Sequence, residues 1–209
     1  MPQLKTKKGQ QSKLVTHAIY QIGAGWTPAP GQDSDDLDLW CVRKFADGRH
    51  DFIYWGRDDL ERPDLGTNGE GNPFIATVEG DVTYKGDDRT GATSDTGYDE
   101  NMVIDLSSSP AELVQYALFL TNFEELEDGQ QPSKVLAAVS DIVCGVKQEG
   151  SNNELVVSMP EITTDSPFAI TVLVATLDRD GDNFVLTDKR EAYDETMFEI
   201  AKKLDPGLS

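Results

Sequence analysis

Between Gly86 and Glu100 the chain reads Gly-Asp-Asp-Arg-Thr-Gly-Ala-Thr-Ser-Asp-Thr-Gly-Tyr-Asp-Glu, which puts Asp87, Asp88, Asp95, Asp99 and Glu100 in one short stretch. Carboxylates this close repel one another. The repulsion is relieved either by pointing apart into water or by a hard divalent cation, which takes about six to eight oxygen ligands. Gly86, Gly91 and Gly97 permit the sharp bends that turn backbone carbonyls inward, and Thr90 offers a hydroxyl. With no His or Cys in the stretch, zinc and copper are disfavoured. A flexible all-oxygen loop suits calcium better than the stricter octahedron of magnesium. A solvated acidic loop is the competing reading, and these residues alone do not separate the two.

A second acidic run, Asp33-Ser34-Asp35-Asp36-Leu37-Asp38, leads directly into an apolar stretch. Asp36 and Asp38 are expected on one face at the start of a strand. Two such segments folded side by side make a better cage than one loop. The run Asp178-Arg179-Asp180-Gly181-Asp182 imitates the opening of an EF-hand loop, but the sixth position is Asn183 instead of Gly and the twelfth is Lys189 instead of Glu. Its Asp-Gly pair between apolar runs predicts a hairpin turn.

Charge narrows the function classes. Across 209 residues, 38 Asp plus Glu stand against 18 Lys plus Arg, a formal charge of -20 at pH 7. Neutralising a phosphate backbone takes clustered Lys and Arg, so nucleic acid is not an expected direct partner, and anionic membrane surfaces are disfavoured too. Cys41 and Cys144 sit inside apolar stretches, where a free thiol acts as a small hydrophobe. With His17 and His50 they do not make a zinc signature, and a catalytic Cys-His pair has little support. No apolar run is long enough for a signal peptide or a membrane span, so the cytoplasm is the expected compartment.

The acidic segments need a frame, and the apolar pattern predicts one that is mainly β. Leu14 to Ile22, Leu37 to Phe45, Asp51 to Trp55, Phe74 to Val78, Met102 to Leu106, Asn152 to Ser158 and Phe168 to Leu177 are strand-like stretches punctuated by Gly, Asp and Pro. Leu113 to Thr121 follows a Ser-Pro start able to cap a helical turn, but its body is strand-like. Asp58 to Asn72 and Leu126 to Ser133 read as loops. A helix is expected around Glu191 to Leu204, with Tyr193, Met197, Ile200, Ala201 and Leu204 on its packing face. No internal repeat or clear linker divides the chain, so one domain over 1–209 is the simpler organisation.

In sequence order these features resemble the TerD-like tellurium-resistance and general-stress proteins. Gly86-Asp87-Asp88-Arg89-Thr90-Gly91 is similar to the family's Gly-Asp-Asn-Arg-Thr-Gly, and Gly97-Tyr98-Asp99-Glu100 to its Gly-Asp-Asp-Glu, with a longer spacer between them. Lys8-Gly9-Gln10, Gly23-Ala24-Gly25-Trp26, Asp36-Leu37-Asp38, the Val103 to Leu106 strand with Ser109-Pro110-Ala111, and Pro132 to Val143 fall where the family has matching elements. The resemblance implies a two-sheet antiparallel β-sandwich with a few short helices, one near the C-terminus. It also implies calcium bound where the two acidic segments meet. The ligands carried over are Asp36, Asp38, Asp87, Asp88, Asp99 and Glu100, with Thr90 and Asp95 as further donors.

Two departures matter. Tyr98 stands where the family has a carboxylate, and Thr27 follows Trp26 where the family has Asp, so at least one calcium site is expected to be altered, with Asp95 placed to compensate. The implied role is binding without catalysis: a calcium-stabilised module that recognises other proteins in tellurite, chemical or phage stress. The alternatives are a virion or extracytoplasmic sandwich using calcium as a staple and, less favoured, a metal-dependent hydrolase working through Asp99 and Glu100.

Overall fold

Alternate residues of Leu37–Phe45 go to opposite sides of one strand. Leu37, Leu39 and Cys41 enter one buried cluster while Trp40 and Val42 enter another. A strand apolar on both faces has to be covered on both. The computed structural model, which describes residues 3–27, 36–54, 64–67, 73–77, 79–86, 98–122, 134–151, 154–158 and 166–206, shows how. Two sheets pack face to face around the larger cluster, and a short helix covers the outer face of one of them.

Among the described residues the first sheet comprises β1 (Gln3–Lys5), β3 (Ile19–Thr27), β6 (Asp64–Thr67), β7 (Pro73–Ala76), β8 (Val82–Gly86), β9 (Glu100–Asp105), β11 (Ser140–Gln148) and β12 (Glu154–Ser158), in spatial order β1-β12-β11-β3-β9-β8-β7-β6. The second comprises β2 (Gln11–Leu14), β4 (Leu37–Phe45), β5 (His50–Ile53), β10 (Leu113–Asn122), β13 (Thr171–Asp180) and β14 (Asn183–Tyr193), in order β2-β14-β13-β10-β4-β5. Every pairing is antiparallel except that of β1 with β12. The expected mainly β, two-sheet sandwich is what forms.

The one α-helix among the described residues, α1 (Met197–Leu204), sits on the outer face of the second sheet. Its Met197 and Ile200 join Trp40, Val42, Ala117, Phe119 and Leu173, and Trp40 stacks on Phe119 at 4.3 Å between ring centroids. The Glu191 to Leu204 expectation is therefore half right. Residues 191 and 193 stay extended because they pair with Leu173 and Thr171 of β13. The helix starts where Thr196 and Glu199 form a reciprocal capping box.

Three other expectations shift. Leu14 to Ile22 is not one strand. The chain turns at Thr16 and His17, the latter at φ 61, and passes from β2 in one sheet to β3 in the other. The Asp58 to Asn72 loop contains β6, which pairs with β7. Phe168 lies in a turn and is 77% exposed, with β13 beginning at Thr171. The Asp180-Gly181-Asp182-Asn183 hairpin forms as expected, with Asp180 paired to Asn183 and Gly181 at φ 61. The Leu126 to Ser133 loop lies outside the described residues.

Candidate metal centre

The ends of the two sheets are aligned by a buried ionic bolt. Arg43, late in β4, donates to Asp81 just before β8 at 2.8 Å, and the Tyr116 hydroxyl, early in β10, donates to the other Asp81 oxygen at 2.7 Å. Thr77 donates to Asp81 at 2.5 Å, and Arg43 also reaches Asp51 and Glu79. With those ends joined, the start of β4 and the end of β8 lie together at the other end of the sandwich. Sheet register brings the end of β3, the start of β9 and the end of β10 there as well, through Ala24↔Glu100, Gly86↔Asn101 and Asn122↔Leu37. Both acidic segments meet the fold at this end.

Among the described residues Asp99 and Glu100 are its deepest carboxylates, 4% and 1% exposed. The Asp99 N–H donates to the carbonyl of Ala24 at 2.9 Å, and Ala24 is already the partner of Glu100. Two residues of one strand thus face one of the next, the arrangement of a β-bulge, which redirects side chains. Glu100 falls on the inner face with Met102 and Ile104. One Asp99 carboxylate oxygen accepts the Trp26 N–H at 3.1 Å. Carboxylates withdrawn this far from water need hydrogen bonds or a cation to offset their desolvation. The oxygens of Asp99 and Glu100 are hard donors, chemistry that fits a hard divalent ion such as calcium.

Asp38 is 7% exposed and paired with Thr121. By strand alternation it shares the outer face of β4 with Trp40 and Val42, so it lies on the other sheet from Glu100 and does not share the inner face with it. Asp36 immediately precedes β4 and is half-buried. Of the expected ligands, the structure brings Asp99 and Glu100 side by side. Among the described residues no group of three or more His, Cys, Asp or Glu is arranged to hold a metal ion. Asp87, Asp88, Thr90 and Asp95, which fall in sequence between Gly86 and Tyr98, lie outside the described residues.

Tyr98 has a role that the sequence pattern did not reveal. Its ring lies on the outer face of the first sheet, over Gly23 of β3 and Gly145 of β11, which are register partners. A Cβ built on either glycine would collide with the ring. The hydroxyl donates to Glu154 of β12 at 2.5 Å, and the Tyr98 carbonyl accepts from Asn101 at 3.2 Å. Burial, reinforced by Glu154, pushes the phenol well above its usual range, so it stays protonated and donates. Glycine inside a strand often marks such a close approach, as Gly23 and Gly145 do here. Thr27, the other departure, ends β3 exposed and paired with Ser140.

Both cysteines are buried and free. Burial raises both thiols, Cys144 to about 12 with a further push from Asp188, so neither is a thiolate nucleophile at neutral pH. Among the described residues no helix is long and apolar enough to cross a membrane.

A two-sheet sandwich with carboxylates gathered at one end is the class that this geometry defines. The chain superposes on the crystal structure of a homologue of the telluride resistance protein TerD from Streptomyces coelicolor A3(2), with a TM-score of 0.61 at 14% identity over 92% of this chain and 98% of that one. It also superposes on SAV2460, a solved protein of unknown function, with a TM-score of 0.63 at 13% identity over 90% and 96% of the two chains. The fold is therefore TerD-like. No protein-family model matches the sequence, and no curated protein does either.

Proposed function

We propose that this chain is a TerD-like, calcium-binding stress-response protein of the cytoplasm, a single domain that works as a protein-interaction module and not as an enzyme. The observation that carries the reading is the placement of Asp99 and Glu100, nearly water-free, on the same end of the sandwich as Asp36 and Asp38 and both stems of the acidic loop. Asp87, Asp88, Asp95 and Thr90 complete the proposed oxygen donors. Bound calcium neutralises an end that is otherwise strongly acidic and fixes the shape of its loop, giving a rigid surface for a protein partner. The likeness to a TerD homologue supports tellurite or related chemical or phage stress as the setting.

Thermal melting and calorimetry with added calcium test this. Binding to the native state raises its stability by mass action, about 2.7 kcal/mol at a hundredfold excess over Kd. Asp99→Asn and Asp87→Asn variants are expected to lose that gain while retaining the fold. A melting curve unmoved by millimolar calcium would overturn the proposal.

A further inference from the structure

Tyr98 immediately precedes the buried carboxylates Asp99 and Glu100, and its surroundings are shaped for it. Gly23 and Gly145 face each other across β3 and β11, leaving a side-chain-free floor on which the ring lies. A Cβ added at Gly23 would collide with the Tyr98 ring and lie only 2.8 Å from the Tyr98 Cβ, and one added at Gly145 would collide with the hydroxyl end of the ring and come within 2.8 Å of Glu154. Glu154, at 7% exposure, holds the hydroxyl from the next strand out. The ring therefore spans from the start of β9 across β3 and β11 to β12.

In an unbroken strand, residues 98 and 100 would share a face. Here Tyr98 takes the outer face and Glu100 the inner one, with Asp99 at the bulge between them. The bulge is thus gripped on both sides: by the tyrosine outside, and by Ala24 and Trp26 through the Asp99 N–H and carboxylate.

We infer that Tyr98 is a positioning residue, a tether that fastens the returning stem of the acidic loop to the sheet and so presets Asp99 and Glu100 for a divalent cation. This rests on the calcium reading above. Where a carboxylate would have contributed one more ligand, this chain has a fixed stem that reduces the ordering needed when the ion binds. Partners that orient ligands typically change metal affinity by about ten- to a hundredfold when removed. A ring held by both contact area and one hydrogen bond should lose affinity in steps.

The experiment compares wild type, Tyr98→Phe and Tyr98→Ala by calcium calorimetry, with amide hydrogen exchange at residues 98–101 measured in chelator. Expected are a loss of at least about tenfold in calcium affinity for Tyr98→Ala, a smaller loss for Tyr98→Phe, and faster exchange at 99–101 in the alanine variant while β13 and β14 stay protected. Unchanged affinity and exchange in a folded Tyr98→Ala protein overturn the tether. If the alanine variant does not fold, Tyr98→Phe decides: unchanged affinity and exchange there overturn it too. If wild type binds no calcium, the calcium reading fails, and exchange at 99–101 alone judges the tether, with unaltered protection overturning it.

Discussion

Arg43 on one sheet and Asp81 beneath the other are joined at 2.8 Å with side chains 5% and 0% exposed, so a full ion pair spans the interior of the sandwich. Tyr116 and Thr77 use the remaining capacity of Asp81, while Arg43 Nε is buried without a hydrogen bond. Removing one member strands the other in a dry site. Arg43→Met is expected to lower unfolding free energy by about 3–5 kcal/mol in urea titration. Adding Asp81→Asn should recover part of that, since it removes the stranded charge. A single-variant loss under about 1 kcal/mol, the scale of an exposed pair, would mean that the bolt is not buried in solution.

The start of α1 rests on two reciprocal bonds. Thr196 N–H donates to Glu199 at 2.8 Å, and the Glu199 N–H donates to the Thr196 hydroxyl at 3.3 Å. Thr196→Ala is expected to cost about 1 kcal/mol. Because Met197 and Ile200 seal the outer cluster, the loss should appear in tryptophan fluorescence from Trp40 as well as in global unfolding. An unchanged midpoint would show that packing alone sets the helix start.

Asp105 supplies a pH dependence with a definite sign. Burial opposes its ionisation, but hydrogen bonds from the side chains and backbones of Ser107 and Ser108 together outweigh that and hold the carboxyl below the ordinary aspartate value. A depressed native value stabilises the fold at pH above the unfolded value of about 3.9, and the gain is lost as pH falls through the native value. Asp105→Asn should therefore narrow the stability gap between pH 6 and pH 3, taken as about the range that spans this titration. An identical acid limb in the two proteins would remove Asp105 from the account.

Cys144 titrates in the opposite sense. With the native thiol raised to about 12, the folded state keeps a proton that the unfolded chain releases above about 8.5, so this group lowers stability as pH rises past that point. At pH 8, a value chosen near about the free-thiol pKa, the native protein should react with a thiol reagent only at its unfolding rate, and denaturant should expose both cysteines at once. Rapid labelling of the native protein would contradict the burial of Cys41 and Cys144.

The apolar rhythm made the second sheet readable. Leu37–Phe45 and Leu113–Asn122 are dense in large apolar side chains, and their strands fall where those chains fall. Local pattern failed where long-range pairing decides. Residues 15–18 turn because Tyr20 closes back on Val15 and the two flanking strands belong to different sheets, neither of which is written in the stretch itself. Glu191 and Tyr193 suit a helix by spacing but are claimed by β13. At the candidate site, Asp99 and Glu100 could be named from composition and resemblance. The floor beneath Tyr98 could not, because it is made of absent side chains on strands far apart in sequence.

Among the described residues, the strands of segment 3–14 pair with distant parts of the chain: β1 lies beside residues 154–156 and β2 beside residues 184–187. Thr6, between them, bonds to Asp188, and Arg190 reaches back to the Thr6 carbonyl. During translation these early residues therefore leave the ribosome without partners and wait until more than 150 further residues have been added. Their exposed strand edges are then available to chaperones or to neighbouring nascent chains, and docking of this segment becomes a late event in maturation.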